Sequence, residues 1–515
     1  MTAVRTEEQA PSPLSAGRRW GALVVLSASL LVIVMDMTIL NVALPHITAE
    51  LAPTAAQQLW IVDIYSLILA GLLVPVSALA DRYGRKRTLL TGYLFFGGFS
   101  LAILAVDSPA GVILIRALLG GAGAMIMPTT LSMIRVLFTD PKERATALGI
   151  WAAISAVGMA VGPVVGGLLL EHVSWQSAFL INVPLMAVAV LAGLFLLSEY
   201  RTKAKPRWDM AGTLASIAGM VALVWSVKHF AEKGFHDAAS WAALAAAVLI
   251  LGWFVRRCLN RPDPMLDLRL FRRPPFTAGI LAALASMFAM GALLLLVAQW
   301  LQLVDGRSPI QAGVALLPAA IAMGVVSPIA PALAARIGAR NVLGGGLAVA
   351  GLGFLVICVA PSPLGYSWIA LSLALLGGGG SSLAVASAIV MSGTPQEKAG
   401  NAAALEETSY EFGSVLGVAV LGSIASAAYK SHLGGAVLSA LGLSHAQADA
   451  ARESLGGAME IAALTGSSAL ADRAADAFTD SLTLTGLVGF FIMTGAAVVA
   501  AVLVPRDLDI TKQTH

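Results

Sequence analysis

The sequence predicts an all-α membrane protein of fourteen transmembrane helices, built as two six-helix bundles with a helix pair inserted between them. Three observations carry that expectation. Of 515 residues, 58% are hydrophobic and only 12% charged. A soluble domain carries about 25% charged residues, so lipid must be the solvent for most of this chain. Fourteen segments reach the roughly 20 mostly apolar residues that a bilayer crossing requires. Finally, Lys and Arg alternate between connecting loops in the way a fixed membrane orientation demands.

The segments begin near Trp20, Gln57, Thr88, Ala110, Ala145, Trp175, Met210, Ser240, Phe276, Pro309, Asn341, Tyr366, Asn401 and Leu482. With the N-terminus in the cytoplasm, 25 of the 32 basic residues fall in cytoplasmic segments. Six fall in external loops, namely Lys228, Lys233, Arg307, Lys430, Arg452 and Arg473, and Arg116 lies inside the fourth span. One missed helix would invert every later loop, so the split predicts both termini to be cytoplasmic. The polar start of the chain ends in Arg18-Arg19, and the apolar run after it is too long for a signal-peptide core, so a retained first helix is expected.

The expected organisation is a tail over 1–19, a six-helix bundle over 20–200, inserted helices over 201–260, a second bundle over 261–505 and a tail over 506–515. Asp81-Arg82-Tyr83-Gly84-Arg85-Lys86-Arg87 follows the second span, and Arg336-Ile337-Gly338-Ala339-Arg340 follows the tenth at the equivalent place, which suggests an internal repeat. Duplicated bundles place a substrate site between the halves. Residues 430–481 suggest an external, amphipathic, net-acidic helical hairpin that either covers the mouth of a cavity or is a passive surface feature. Cys258 and Cys358 map near opposite membrane faces and belong to no metal motif.

Six ionisable residues sit well inside apolar spans: Asp36, Asp63, Arg116, Glu406, Glu407 and Glu411. Each charge near the bilayer centre costs roughly 2.5–3.5 kcal/mol. Five carboxylates against one arginine leave a negative interior, so protons or bound cations must neutralise some of them. Glu407 and Glu411 are four apart and share a helical face, where burial and like charge both oppose ionisation. They are assigned to the cavity; Glu406 is turned by about 100° from Glu407 and is left between a cavity role and a structural hydrogen bond. Asp36 and Asp63 can alternatively be helix–helix hydrogen-bonding residues, and Arg116 a structural counter-ion. All seven histidines lie at the margins, so proton coupling must run through carboxylates.

Trp60, Tyr65, Trp151, Trp300 and Tyr410 are candidate cation–π partners, each worth about 0.5–2 kcal/mol with an ammonium group; Trp60 can equally be an interfacial anchor. The pattern Gly158-Met-Ala-Val-Gly162-Pro163-Val-Val-Gly166-Gly167 combines glycines four apart, which let helices approach closely, with a proline that bends the helix.

These residues resemble the major facilitator superfamily, specifically its fourteen-helix drug:proton antiporter branch. Asp36 to Pro45 is similar to that branch's first-helix motif, Asp81 to Arg87 to the superfamily's loop between helices 2 and 3, and Arg116 to Gly123 to its fourth-helix arginine motif. Gly158 to Gly167 matches the antiporter motif GxxxGPxxGG. Trp60-Ile-Val-Asp63-Ile-Tyr65-Ser66, Pro264 to Asp267, Gly400 to Glu407 and the ending Leu508 to Gln513 resemble the quaternary-ammonium-compound efflux pumps of that branch. The resemblance implies that Asp36 couples to protons with Arg116, that Glu411 is a second protonation site, that Glu407 meets the cationic substrate and that Asp63 supports transport. Asp81, Arg82, Gly84 and Arg85 would act in conformational switching. Some members that handle dications carry an extra aspartate where this chain has Met323, which implies a preference for monovalent cations.

The implied function is proton-coupled export of lipophilic cations from a cell membrane, not an enzyme activity. A nutrient symporter of the same fold is the main rival, whereas an ATP-driven pump would need a GxxxxGK[ST] loop that the sequence lacks. Expected partners are lipophilic cations, protons and the bilayer. No nucleic acid, cofactor or metal is expected, and the working unit is expected to be a monomer.

Overall fold

In lipid a spanning segment must satisfy its backbone internally, and long apolar segments do so as helices. The structure is a computed structural model that describes residues 15–200, 209–233, 236–261, 264, 266–380, 382–392, 394, 399–434, 438, 441 and 443–505. Both tails predicted from the sequence lie wholly or mostly outside these residues.

The first bundle contains α1 (Ala16–Leu51), α2 (Ala55–Tyr83), α3 (Arg85–Ala102), α4 (Pro109–Leu137), α5 (Pro141–His172) and α6 (Asn182–Leu196). The inserted pair is α7 (Met210–Lys233) and α8 (Ala238–Asn260). The second bundle contains α9 (Pro274–Leu303), a broken α10 (Pro309–Ala315, Leu317–Val326 and Ala330–Ile337), α11 (Ala339–Val359), a two-piece α12 (Tyr366–Gly380 and Ser382–Ser392), α13 (Ala399–His432) and α14 (Ser468–Leu503). Thirteen described stretches are long and apolar enough to cross a membrane. The fourteenth, α5, is continuous over 32 residues, a length of about 48 Å at 1.5 Å per residue. The breaks in α10 follow from Pro318, Pro328 and Pro331, which remove backbone donors from the helix.

The bundles meet along two seams: α5 packs on α10, and α2 packs on α13. These seams are equivalents of one another if α9 to α14 repeat α1 to α6. The repeat is also visible in two turns. Gly84 joins α2 to α3 at φ 118°, ψ 130°, and Gly338 joins the last piece of α10 to α11 at φ 92°, ψ 141°. Only glycine adopts such positive φ values without strain. At the first turn the Glu199 carboxylate accepts from the backbone N–H groups of Lys86 and Arg87, capping α3, while Lys86 Nζ donates to the carbonyls of Leu194 and Leu197 at the end of α6. Arg85 donates to the Ser132 carbonyl of α4. The side chains of Asp81 and Arg82 lie outside the described residues.

The antiporter-like glycines set the first seam. A methyl group at Gly158, Gly162 or Gly166 would run into Val34, Thr38 or Ile39 of α1, and one at Gly167 into the backbone of Pro309 and Ile310 of α10. From the α10 side, a methyl at Gly313 would strike the Pro163 carbonyl. Thus α5 is held at backbone contact between its own bundle and the opposite one.

The pair α7–α8 breaks the symmetry. α7 lies against both α2 and α13, covering one seam, whereas α8 touches mainly α7 and turns Val248, Leu249 and Trp253 outward. At the opposite end of the pair, Asp209 accepts from Arg257 through both carboxylate oxygens at 2.9–3.1 Å and pairs with Arg261 at 3.0 Å. The hydrogen bonds from Arg257 hold the Asp209 carboxyl below its usual range despite its burial.

Two expectations need correction. Lys228 is not in an external loop: it lies within α7 and is buried. The hairpin expected over 430–481 is also shorter: α13 runs to His432 and α14 begins at Ser468, ahead of the apolar stretch near Leu482, so Asp472, Asp476 and Asp480 ride on the polar first turns of α14. Between α13 and α14 lie two short helices, His445–Glu453 and Leu455–Thr465. Glu453 accepts from the first backbone N–H of α2 at Ala55 (3.0 Å) and pairs with Lys430 of α13 at 2.9 Å. Gly456 sits on Thr48 of α1, and Gln302 of α9 donates to the Val42 carbonyl of α1. These contacts join the two bundles on this face.

Replacing Gly162 by Val should abolish transport and lower the unfolding temperature in detergent, because α5 must move off α1. Gly98, whose added methyl would meet open space, is the control: Gly98→Ala should leave both measurements unchanged.

Candidate functional site

Buried ionisable groups gather on α1, α2, α4, α7 and α13, and they fall into three sets. In the first, Asp36 of α1 is saturated. Arg116 Nη1 of α4 donates to one carboxylate oxygen at 2.7 Å and Asn182 Nδ2 of α6 to the other at 2.7 Å. Asn182 also donates to Ser100 Oγ at 3.3 Å. Arg116 gives a second bond, from Nε to the Ile61 carbonyl at 3.1 Å, and its guanidinium lies 4.5 Å from the centre of the Tyr65 ring. Both charged side chains are 2% exposed or less. A buried ion pair offsets its desolvation only when further hydrogen bonds fill the remaining sites, and this one has them.

In the second set, Asp63 of α2 faces Lys228 of α7. The ammonium is 2.9 Å from Asp63 Oδ2 and 4.2 Å from the centre of the Trp60 ring, and both charged side chains are 1% exposed. Trp60 therefore faces a cation belonging to the protein itself.

The third set is the glutamates of α13. Glu406 accepts a short hydrogen bond from Tyr410 and lies beside Ser387 of α12. Glu411 reaches across the α2–α13 seam to Ser66, and its other oxygen has no hydrogen-bond partner among the described residues. Glu407 is half-buried, within electrostatic range of both Glu406 and Glu411. No cationic side chain pairs with any of the three among the described residues. Tyr65, fully buried, lies within range of Asp36, Arg116 and Glu411, so it links the first set to the third.

Of the aromatic candidates, Trp60, Tyr65 and Tyr410 join these sets. Trp151 and Trp300 instead donate their indole N–H groups to Thr130 and Thr479, both at 3.2 Å. Sequence reasoning missed Asn182 and Lys228. The signal for Asn182 was a carboxamide in an otherwise apolar stretch beside Pro184. Lys228 was read past because it lies in the last turns of its helix. With it included, the spans hold five carboxylates and two cations, not one.

At the other seam Met159, Pro163, Met290, Leu294, Leu316 and Met323 line a narrow cleft with about 30 Å³ of free space. It is apolar, and flexible methionines let such a wall adapt to differently shaped ligands.

The Major Facilitator Superfamily profile matches residues 26–418. This chain belongs to that superfamily. It is therefore a multi-pass cell-membrane transporter rather than an enzyme. It is 39% identical over 495 residues to the multidrug efflux pump LfrA of Mycolicibacterium smegmatis, covering 95% of this chain and 97% of that one. It is 38% identical over 425 residues to the methyl viologen resistance protein SmvA of Salmonella typhimurium, covering 81% and 84%. Among solved structures, a bacterial homologue of the human lysosomal transporter Spinster superposes with a TM-score of 0.66 at 18% identity, covering 95% of this chain and 98% of that one, which speaks to the superfamily fold alone.

The hydrogen-bond ledger around Asp36 ranks its neighbours. Arg116→Gln leaves a buried carboxylate without its cation and should cost about 3–5 kcal/mol. Asn182→Leu removes one bond to a charged group and should cost about 1.5–3 kcal/mol. Adding Asp36→Asn to Arg116→Gln should restore thermal stability in detergent without restoring transport.

Proposed function

We propose that this chain is a proton-coupled antiporter that exports lipophilic cationic drugs and biocides, quaternary ammonium compounds and dyes such as ethidium among them. The observation that carries the proposal is the glutamate trio of α13, three buried or half-buried carboxylates without a cationic partner among the described residues. At roughly 2.5–3.5 kcal/mol for each charge placed in the membrane, leaving all three ionised would cost on the order of 10 kcal/mol, comparable to the whole stability of a domain. Protons or a bound cation must offset that cost, and a site that accepts either is the requirement for exchanging one against the other.

In this reading Glu407, the more accessible of the three, takes the substrate cation. Glu411 and the Asp36–Arg116 pair carry the proton signal across the α2–α13 seam, with Tyr65 between them. Tyr410 holds Glu406 and so keeps the trio in register. The methionine-rich wall of the α5–α10 seam offers apolar contact to the body of a lipophilic cation. The hairpin face is the external one, and the glycine seam along α5 lets the bundles rock around the fixed carboxylates. The names of the relatives LfrA and SmvA support drug export as the outcome.

A finer part of the proposal concerns charge number. Met323 places a thioether where an additional acid would serve a second cationic group, and Asp63 is already neutralised by Lys228. Monovalent cations are therefore the favoured cargo. Methyl viologen, a dication for which the relative SmvA is named, is the sharpest probe of this point. Cells expressing the transporter should tolerate a monovalent quaternary ammonium biocide at several-fold higher concentration than controls while gaining less against a divalent one. Equal gains would remove the preference.

The main test is ethidium efflux from energised cells. Efflux should stop with a protonophore and fall to background in Glu407→Gln. Efflux that survives the protonophore would end the antiporter reading; efflux that survives only the substitution would move the substrate carboxylate elsewhere.

A further inference from the structure

We infer that Asp63 and Trp60 form a cation subsite that the chain fills with its own Lys228, and that a cationic substrate engages this subsite by displacing that lysine. The inference deepens the proposed cation export and rests on it.

A carboxylate and the face of an indole, presented together to one ammonium group, are the chemistry that recognises organic cations. Here both act on Lys228 Nζ, at 2.9 Å from Asp63 Oδ2 and 4.2 Å from the Trp60 ring centre. The position of the lysine is that of a tethered ligand. An ammonium has three donors to satisfy, yet beyond their mutual contact neither Lys228 Nζ nor Asp63 Oδ2 has a hydrogen-bond partner among the described residues. The contact is an ion pair held by charge and burial. The Asp36 carboxylate, by contrast, is fixed by Arg116 and Asn182 through directed bonds. Of the two buried acid–base pairs, the one with Lys228 is the easier to exchange.

The displaced lysine also has somewhere to go. Lys228 lies in the last turns of α7, which ends at Lys233. Long lysine side chains near a helix end extend to the membrane–water interface at little cost. Exchange would leave the charge at Asp63 balanced throughout: one cation enters as another withdraws. The placement fits the asymmetry of the fold, because α7 covers the α2–α13 seam, whereas among the described residues neither inserted helix packs closely on α5 or α10. Ser66 of α2, which meets Glu411 of α13, lies on this same seam. The inserted pair thereby contributes a specificity-determining residue rather than only two extra spans.

A purely structural tie between α7 and α2 makes the opposite predictions. Binding of ethidium and of methyl viologen to the purified full-length transporter would be measured for the wild type, Lys228→Met, Lys228→Gln, Asp63→Asn and the double variant Lys228→Met/Asp63→Asn. If the subsite is free only about a tenth of the time, vacating it should tighten apparent binding roughly tenfold. The gain should be larger for methyl viologen, which can use the second carboxylate, and should vanish in the Asp63→Asn background. Wild-type or weaker affinity in both single Lys228 variants would overturn the inference. A measurement on the wild type removes any dependence on how the variants fold: amine-reactive labelling of Lys228, read by mass spectrometry, should rise several-fold when methyl viologen, whose two cationic groups can meet Glu407 and Asp63 together, saturates the protein. Unchanged or reduced labelling would overturn the inference. If the wild type binds neither cation, the proposed export function falls and this inference with it; if the wild type binds ethidium but Lys228 responds in neither experiment, only the subsite falls.

Discussion

A charge inside a bilayer has to be paired, neutralised or brought back to water, and this constraint organises the interior of the transporter. The Asp36–Arg116 pair is completed by Asn182, Tyr65 and the Ile61 carbonyl, so that four helices converge on one carboxylate and its cation. The Asp63–Lys228 pair ties the inserted helices to the first bundle. Among the described residues the glutamates of α13 have no cationic partner, so the imbalance is confined to one helix. Packing follows from the same requirement. Polar groups can reach one another across helices only where backbones approach closely, and the glycines of α5 and α13 provide that approach: methyls at Gly413 and Gly417 would strike the backbone of Leu284 and Phe288 in α9.

The two seams are related by the repeat but chemically unlike. One carries methionines, a proline and glycine contacts; the other carries Ser66, Glu411 and the flanking α7. A duplicated fold thus acquires an apolar side and a charged side. The insertion sharpens the difference, since it adds a positive charge to the side already rich in acids.

Much of this was legible in the sequence, and the parts that were not share a cause. Composition and loop charge are read along the chain, so the number of spans, the repeat turn at Gly84 and Gly338 and the buried acids could all be located from the order of residues alone. Partners cannot be read that way. Asn182 is one amide among leucines and valines, and nothing linear reveals that it faces Asp36. Lys228 sits where hydropathy fades near a helix end, so it counted as a loop cation until its helix placed it against α2. The start of α14 was misjudged for a similar reason. Ser468 to Asp480 is too polar to cross lipid, but a helix can project beyond the membrane, and these turns pack on the neighbouring short helices. Tyr410 donates its hydroxyl to Glu406 one turn away, a partner that spacing alone does not reveal.

The segment around Glu453 has a consequence for how the molecule can be observed. It is attached to α2 by one hydrogen bond, and to α13 by the Lys430–Glu453 ion pair and by bonds from Tyr429 to the Ala451 carbonyl and from Arg452 to the Lys430 carbonyl. The single bond to α2 is the weak tie: it cannot lock the face, yet it cannot stay whole when α2 and α13 part. The surface made jointly by Ala55, Lys430 and Glu453 exists only while the bundles touch there. A binding protein raised against that composite epitope would recognise one half of the working cycle, hold the transporter in it, and serve as a reporter of conformation.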